Sequence, residues 1–296
     1  MSGSTEELRK KIDGAGDLNG VVRAMKALAA SSIGQYENAV DALHHYYRTV
    51  ELGLAACYRD NKVADEVLGE KPRAKPKIGA VVFGSDQGLV GQFNEILVDF
   101  SLNEFKAIGG KPTSIWAAGD RIHSLLVDSG FVKAVLLPVP VSTSGITPLV
   151  GRLLIDIESA REGGSVDEVY FYHNRPKTGA VFEPVGRRLL PLDHVWRDSL
   201  VTLAWPTKEL PEVIGGTHAT LPILIRSYLF VLLYQACAES LASENASRLA
   251  AMQRAEKNIG TILEDLNRTF HRTRQESIDE ELFDVISGYE ALSKDK

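Results

Sequence analysis

From residue 4 to residue 58 the chain sets an apolar or small residue at every third or fourth position: Leu8, Ile12, Ala15, Val22, Ala29, Ile33, Tyr36, Val40, Leu43, Tyr47, Val50, Leu54 and Cys57. Only Asn19 and Lys26 put polar groups into the series. A 3.5-residue step kept up for about seven heptads is the mark of a helix that supercoils against another. No proline interrupts it, while Gly14, Gly16, Gly20, Gly34 and Gly53 each cost a helix about 1 kcal/mol. Packing against a partner must therefore supply the stability. The seam is made mostly of small residues, so that partner can come close.

The other end of the chain offers the partner. After Pro222 no proline occurs up to Ala291, and Leu249, Met252, Ala255, Ile259, Ile262 and Leu266 again step by threes and fours. Phe270, Ile278, Leu282 and Val285 continue the pattern. Such a helix would approach ~100 Å at 1.5 Å per residue. Neither long helix can hide its seam alone, and antiparallel pairing of the two ends is the simplest solution. If residue 4 faces about position 290 in such a pair, Cys57 falls near Cys237, as two thiols in a reducing compartment.

One stretch tests whether the chain enters a membrane. Ala219–Ala238 has nearly the length of a spanning helix, but it carries Pro222, Arg226 and Gln235. An Arg at mid-span costs about 2.5–3.5 kcal/mol, so the segment is expected to lie buried against protein on most sides, without membrane insertion. The 296 residues are 44% hydrophobic and 24% charged, which excludes a disordered chain. A net charge of −6 argues against a nucleic-acid binder that works by bulk electrostatics. The two cysteines are too few for a disulfide scaffold, and the first twenty residues contain no apolar signal core. An intracellular setting is expected.

Between the helices the character changes. Lys71–Lys77 is a basic linker punctuated by prolines. Short apolar runs at 78–83, 114–118, 132–139 and 169–172 predict strands, and the patterns at 93–107, 121–128 and 148–160 predict helices. That alternation predicts a small, mainly parallel, Rossmann-like α/β sheet. Residues 177–192 suggest an added β edge. The expected domains are a coiled-coil helix over 1–60, an α/β body over 61–216 and a second coiled-coil helix over 217–296.

The one candidate for a small-molecule site is the turn after the first strand, with Ser85, Asp86, Gly88 and Gly91 in Gly84-Ser-Asp-Gln-Gly-Leu-Val-Gly91. Its glycines are spaced neither as a dinucleotide fingerprint nor as a phosphate loop. The competing reading is a tight strand-to-helix turn in which Ser85 or Asp86 bonds local backbone. The seven histidines are scattered, no pair of cysteines or histidines has metal-ligand spacing, and no G-x-S-x-G elbow is present. No catalytic residue, cofactor or metal is expected. The residues by themselves point to a two-helix rod carrying an α/β body.

Three blocks go further by resemblance. Glu244-Asn-Ala-Ser-Arg-Leu-Ala-Ala-Met252 with Ala255 and Asn258, followed by Arg274-Gln275, Ile278, Glu281 and Leu282, resembles the C-terminal helix of the gamma subunits of F-type ATP synthases. Ser85–Gly91 is similar to the family's S-D-R-G-L-C-G run, and Ala24-Met25-Lys26-Ala-Leu-Ala29 to its A-M-x-x-V-A run. The sequence departs from the family at Asp17–Val22, Ser32, Gln87, Val90 and Asp279, and so resembles a divergent branch.

The resemblance implies a non-catalytic rotor shaft. Its coiled coil would stand in the bore of a hexamer of alpha and beta subunits, with its foot against the epsilon subunit and the membrane c-ring. The whole would sit at the cytoplasmic face of the inner (plasma) membrane. It also implies contacts to beta subunits by Arg274 and Gln275, and by Arg248, Met25 and Lys26 in mid-shaft. Two other readings remain open at this point: a nucleotide-dependent α/β enzyme with a helical dimerisation arm, and a coiled-coil adaptor derived from a shaft.

Overall fold

A computed structural model of the chain describes residues 2–59, 75–178, 180–209 and 211–294. Residues 71–74 of the predicted basic linker lie outside the described residues. The elements are α1 (Ser2–Arg59), β1 (Ile78–Phe83), α2 (Phe93–Ala107), β2 (Ser114–Ala118), α3 (Asp120–Asp128), β3 (Val135–Leu137), α4 (Ile146–Glu162), β4 (Glu168–Lys177), β5 (Ala180–Leu190), α5 (His194–Val201) and α6 (Thr217–Lys294). The chain divides into two compact units: residues up to Ala29 together with those from Leu249 onward, and Ala30–Arg248.

The first unit is a pair of helices. Val22 of α1 is buried with Met252 and Ile259 of α6, and Met25, Ala251, Ala255 and Leu263 pack around them. Arg23 and Lys26 of α1 both reach Glu256 of α6.

In the second unit the same two helices again run antiparallel. Tyr47 lies 5.8 Å from Tyr228 between ring centroids. A Cβ on Gly53 would sit 3.1 Å from Cδ1 of Leu224, so the glycine permits a close approach there. By that register Cys57 faces roughly position 220, about 17 residues or ~25 Å along the helix from Cys237. Both cysteines are buried and neither is in a disulfide, but their expected proximity does not hold. A seam with a 3.5-residue step is nearly unchanged by a slip of five turns, so the pattern gives the pairing without its offset.

The sheet has the order β3-β2-β1-β4-β5. β1 pairs in parallel with both β2 and β4, β2 in parallel with β3, and β5 runs antiparallel to β4 as the added edge. All six residues of β1 are buried, as a central parallel strand covered on both faces requires. On one face Ala80 and Val82 pack with Leu97 of α2 and Ile122 and Leu126 of α3. On the other, Val81 and Phe83 join Leu153 of α4, Val50 and Leu54 of α1, and Leu229, Leu233 and Cys237 of α6. Full burial of a residue such as Leu54 contributes about 1.5–3 kcal/mol, more than a helical glycine costs, which is why α1 survives its glycines.

β3 spans only Val135–Leu137 of the predicted 132–139, and it stops at Pro138, which cannot donate to a ladder. The short α5 escaped prediction. Asp193 caps it by accepting the Trp196 N–H at 2.8 Å. The apolar start of α6 is long and apolar enough to cross a membrane by length and composition, with 44% of that window buried. The expected burial holds from Tyr228 onward, where Leu229, Val231, Leu233, Ala236 and Cys237 enter the core, whereas Ile223 is 67% exposed.

Candidate functional site

The strand-end turn is stitched to itself. The Ser85 N–H donates to Asn94 Oδ1 at 3.0 Å, Asn94 Nδ2 donates to Ser85 Oγ at 2.8 Å, and that hydroxyl donates to the Gln87 carbonyl at 2.8 Å. Asp86 Oδ1 accepts the Asp120 N–H at 3.1 Å, which caps the start of α3. Gly91 and Leu89 have φ of 61° and 63°, a left-handed conformation that suits glycine and costs leucine. Gly88 has open space around it.

In a doubly wound sheet, ligands enter outside the carboxyl ends of the strands where the strand order reverses. That crevice lies between β1 and β4, and α6 occupies it. Ser240 Oγ donates to the Phe83 carbonyl at 2.8 Å and Ser247 Oγ to the Val90 carbonyl at 2.6 Å. The backbone approach is tight as well. A Cβ on Gly84 would lie 2.3 Å from Ile122 Cβ, and one on Gly119 2.5 Å from the Ser85 carbonyl oxygen. Ser85 and Asn94 are buried with their polar atoms spent on each other. The turn serves helix–strand packing, and the buried side chains of Ser85 and Asn94 are spent within it. Among the described residues no group of His, Cys, Asp and Glu could hold a metal ion.

Arg248 turns inward. Its Nη2 lies 2.6 Å from Glu244 Oε1, and the two side chains are 16% and 8% exposed; its Nη1 donates to Asn245 Oδ1 at 3.5 Å. Burial pushes the Glu244 carboxyl up against the opposing pull of Arg248, and the charge of Asp86 adds to the rise. The guanidinium thus keeps a buried carboxylate tolerable.

Met25 is half-buried in the small core of the first unit. Beside it Lys26 Nζ lies 2.5 Å from Glu256 Oε2, and Arg23 Nε 3.1 Å from Glu256 Oε1. The hydrogen bond from Lys26 is the main cause holding the Glu256 carboxyl below its usual range. Arg274 and Gln275 are different. Both are exposed on α6, and neither makes a hydrogen bond or ion pair among the described residues. Beyond them Ile278, Leu282, Phe283 and Val285 are more than half exposed.

The ATP synthase family model matches residues 4–292. The chain is 31% identical over 302 residues to the ATP synthase gamma chain of Glaesserella parasuis serovar 5 (strain SH0165), spanning 99% of this chain and 100% of that one. The chain belongs to the ATP synthase gamma-chain family. The gamma chain of Pasteurella multocida (strain Pm70) is a further relative, 28% identical over 304 residues, covering 99% of this chain and all of its own. Among solved structures, the rotor of the Euglena gracilis mitochondrial ATP synthase superposes with a TM-score of 0.65 at 15% identity, covering 94% of this chain and 100% of that chain. The central stalk of the Tetrahymena thermophila enzyme gives 0.56 at 19% identity over 79% and 99%. At those identities the likeness is one of fold, and the paired long helices and five-stranded sheet of this gamma-chain family member share it.

Of the residues singled out from sequence, the structure sets Met25 and Lys26 of α1 against α6, and Ser85, Asp86 and Gly91 in one turn. Arg248 acts within its own helix, and Arg274 and Gln275 stand free. Reading this gamma-family sequence alone missed Glu256, Glu244, Ser240 and Ser247. The two serines are seven residues apart, and so share a face of α6 with the apolar seam. Polar residues on an apolar stripe are the one signal that could have revealed them.

Proposed function

We propose that this chain is the central-stalk rotor subunit of an F-type ATP synthase and couples ion-driven rotation of the c-ring to ATP synthesis or hydrolysis in the alpha–beta hexamer. In this reading residues 1–60 and 217–296 form the shaft, with 61–216 as its foot against epsilon and the c-ring. The assembly sits peripherally at the cytoplasmic face of the membrane. The chain forms no covalent bond with nucleotide. It biases the nucleotide sites of its neighbours by touching each of them differently.

The observation that carries this reading is the contrast along α6. Arg248 is spent inside the chain, whereas Arg274 and Gln275 are left exposed and unpaired. A planar guanidinium beside a side-chain amide suits directional contact with a carboxylate or carbonyl on a passing surface. The closed crevice at the end of β1 disfavours the reading as a nucleotide-dependent enzyme.

Native mass spectrometry of the chain co-expressed with the alpha and beta subunits of its own organism, with ATPase assays of Arg274→Ala, tests the proposal. One copy per hexamer and a lowered turnover in the variant are expected. A hexamer that forms and leaves the chain apart would replace the shaft by the adaptor reading.

A further inference from the structure

His173 of β4 is 3% exposed, and no part of the shaft reading uses it. Its Nε2 lies 2.7 Å from Glu239 Oε2 of α6, and a carboxylate there makes Nε2 the protonated nitrogen. The other Glu239 oxygen accepts Gln235 Nε2 at 2.7 Å. Sheet and helix are thus joined through one imidazole. Nδ1 is buried and makes no hydrogen bond, and Phe171 stacks on the ring at 5.9 Å.

A cavity of about 50 Å³ adjoins the joint, between β4, β5 and α6. The charged groups on its wall are Arg175 of β4, Arg187 of β5 and Glu239 of α6. Arg175 is matched by Glu183, at 2.6 Å. Arg187 has no ion-pair partner among the described residues. A second proton on His173 would place an N–H where no acceptor stands and where two guanidinium groups face it.

We infer that the seam around His173 and Glu239 is acid-labile, so that sheet and helix loosen there under mild acid. Proton uptake strengthens the Nε2 contact with the Glu239 carboxylate but leaves a charged, unaccepted Nδ1–H in a buried site facing two guanidinium groups. The second effect outweighs the first. Burial holds His173 below its ordinary value of 6.5 in the folded chain. A histidine lowered in this way favours the folded state above 6.5, and that advantage is lost as the pH falls toward the folded-state value. The loss reaches at most about tenfold in the folded-to-unfolded ratio per pH unit, as one proton requires.

The experiment follows the imidazole of His173 by NMR in the purified full chain from pH 7.5 to 5. Amide hydrogen exchange over residues 171–174 and 232–240 is measured in parallel and corrected for intrinsic rates. The ring is expected to remain neutral at pH 6.5, and protection in both segments to fall together from there down to the pH at which the folded ring titrates, and then to level off. His173→Gln keeps an amide donor toward Glu239 but cannot take up a proton, and its protection should stay level across the range. A ring that is half-protonated at or above pH 6.5, or protection unchanged between pH 6.5 and the pH at which the ring titrates, overturns the inference. So does an equal acid loss in His173→Gln. Should that variant fail to fold, the titration and exchange of the unaltered chain decide the matter alone.

Discussion

The Ser247 hydroxyl donates to the Val90 carbonyl at 2.6 Å, so a residue of the C-terminal helix closes the turn that a nucleotide-binding sheet would leave open. Ser240 repeats the device seven residues earlier in both segments, on the carbonyl of Phe83, the last residue of β1. Both serines are buried, and removing either hydroxyl leaves a buried carbonyl without its donor. Ser240→Ala and Ser247→Ala are each expected to cost about 1–3 kcal/mol. Urea unfolding of the single and double variants measures this, and the double variant should lose close to the sum of the two.

Gly84 and Gly119 meet at the same turn, where an added Cβ finds Ile122 at 2.3 Å and the Ser85 carbonyl at 2.5 Å. Gly119 also has a φ of 122°. Alanine at either position is expected to destabilise by more than about 2 kcal/mol, through overpacking at Gly84 and through both overpacking and backbone strain at Gly119. Gly88→Ala, in open space, is the matched control and should leave the thermal midpoint within a degree or so of the parent.

Arg248→Ala would strand the Glu244 carboxylate in the core at a cost of about 3 kcal/mol. Adding Glu244→Gln should recover a large part of that, because the neutral amide needs no counter-charge. The pH dependence has a definite sign. The Glu244 carboxyl is raised in the folded chain, so its protonation favours the folded state below the usual value of 4.5. That contribution disappears as the pH rises through the folded-state value. Glu244→Gln should remove this component from a stability–pH curve.

The helix register can be tested by cross-linking. Gly53→Cys with Leu224→Cys places two thiols where the two helices approach closely, and oxidation should join them. The native Cys57 and Cys237 should stay unjoined under the same oxidant, being ~25 Å apart along the helices. A Cys57–Cys237 bond in the unaltered chain would restore the register expected from sequence.

The Glu256 contacts predict a salt-sensitive effect. Glu256→Gln frees Lys26 and Arg23 and should lower stability only slightly at low ionic strength. The difference should vanish at high salt, since these groups face water.

The parts of the fold that could be read in advance are those where one periodicity has one meaning. Ile78–Phe83 is apolar at every position because both faces of β1 are covered, and the run reads directly as a central strand. The thirteen-residue seam of α1 likewise reads as a paired helix. The offset of that pairing was not legible. A repeating stripe fits itself after a slip of whole turns, and only non-repeating contacts such as Gly53 on Leu224 fix the choice. The turn at Ser85 could be narrowed to two uses but not decided, because the decision rests on Ser240 and Ser247, more than 150 residues away. The resemblance assigned Arg248 to a beta-subunit contact, and its inward pairing with Glu244 was not legible for a similar reason, since a sequence does not show which charged face of a helix is turned to the core.

The serine bonds from α6 to the last residue of β1 and to the turn after it also set an order of events during synthesis. A ribosome delivers the chain from its N-terminus, so β1 and the helices around it emerge long before the residues that finish their cover. Phe83, Val81 and Leu54 can meet Leu233 and Cys237 only after translation has passed the middle of α6. Until then a nascent body would display the unfinished face of its sheet, and a chain truncated before Ser240 should remain bound to chaperones while the full-length product is released.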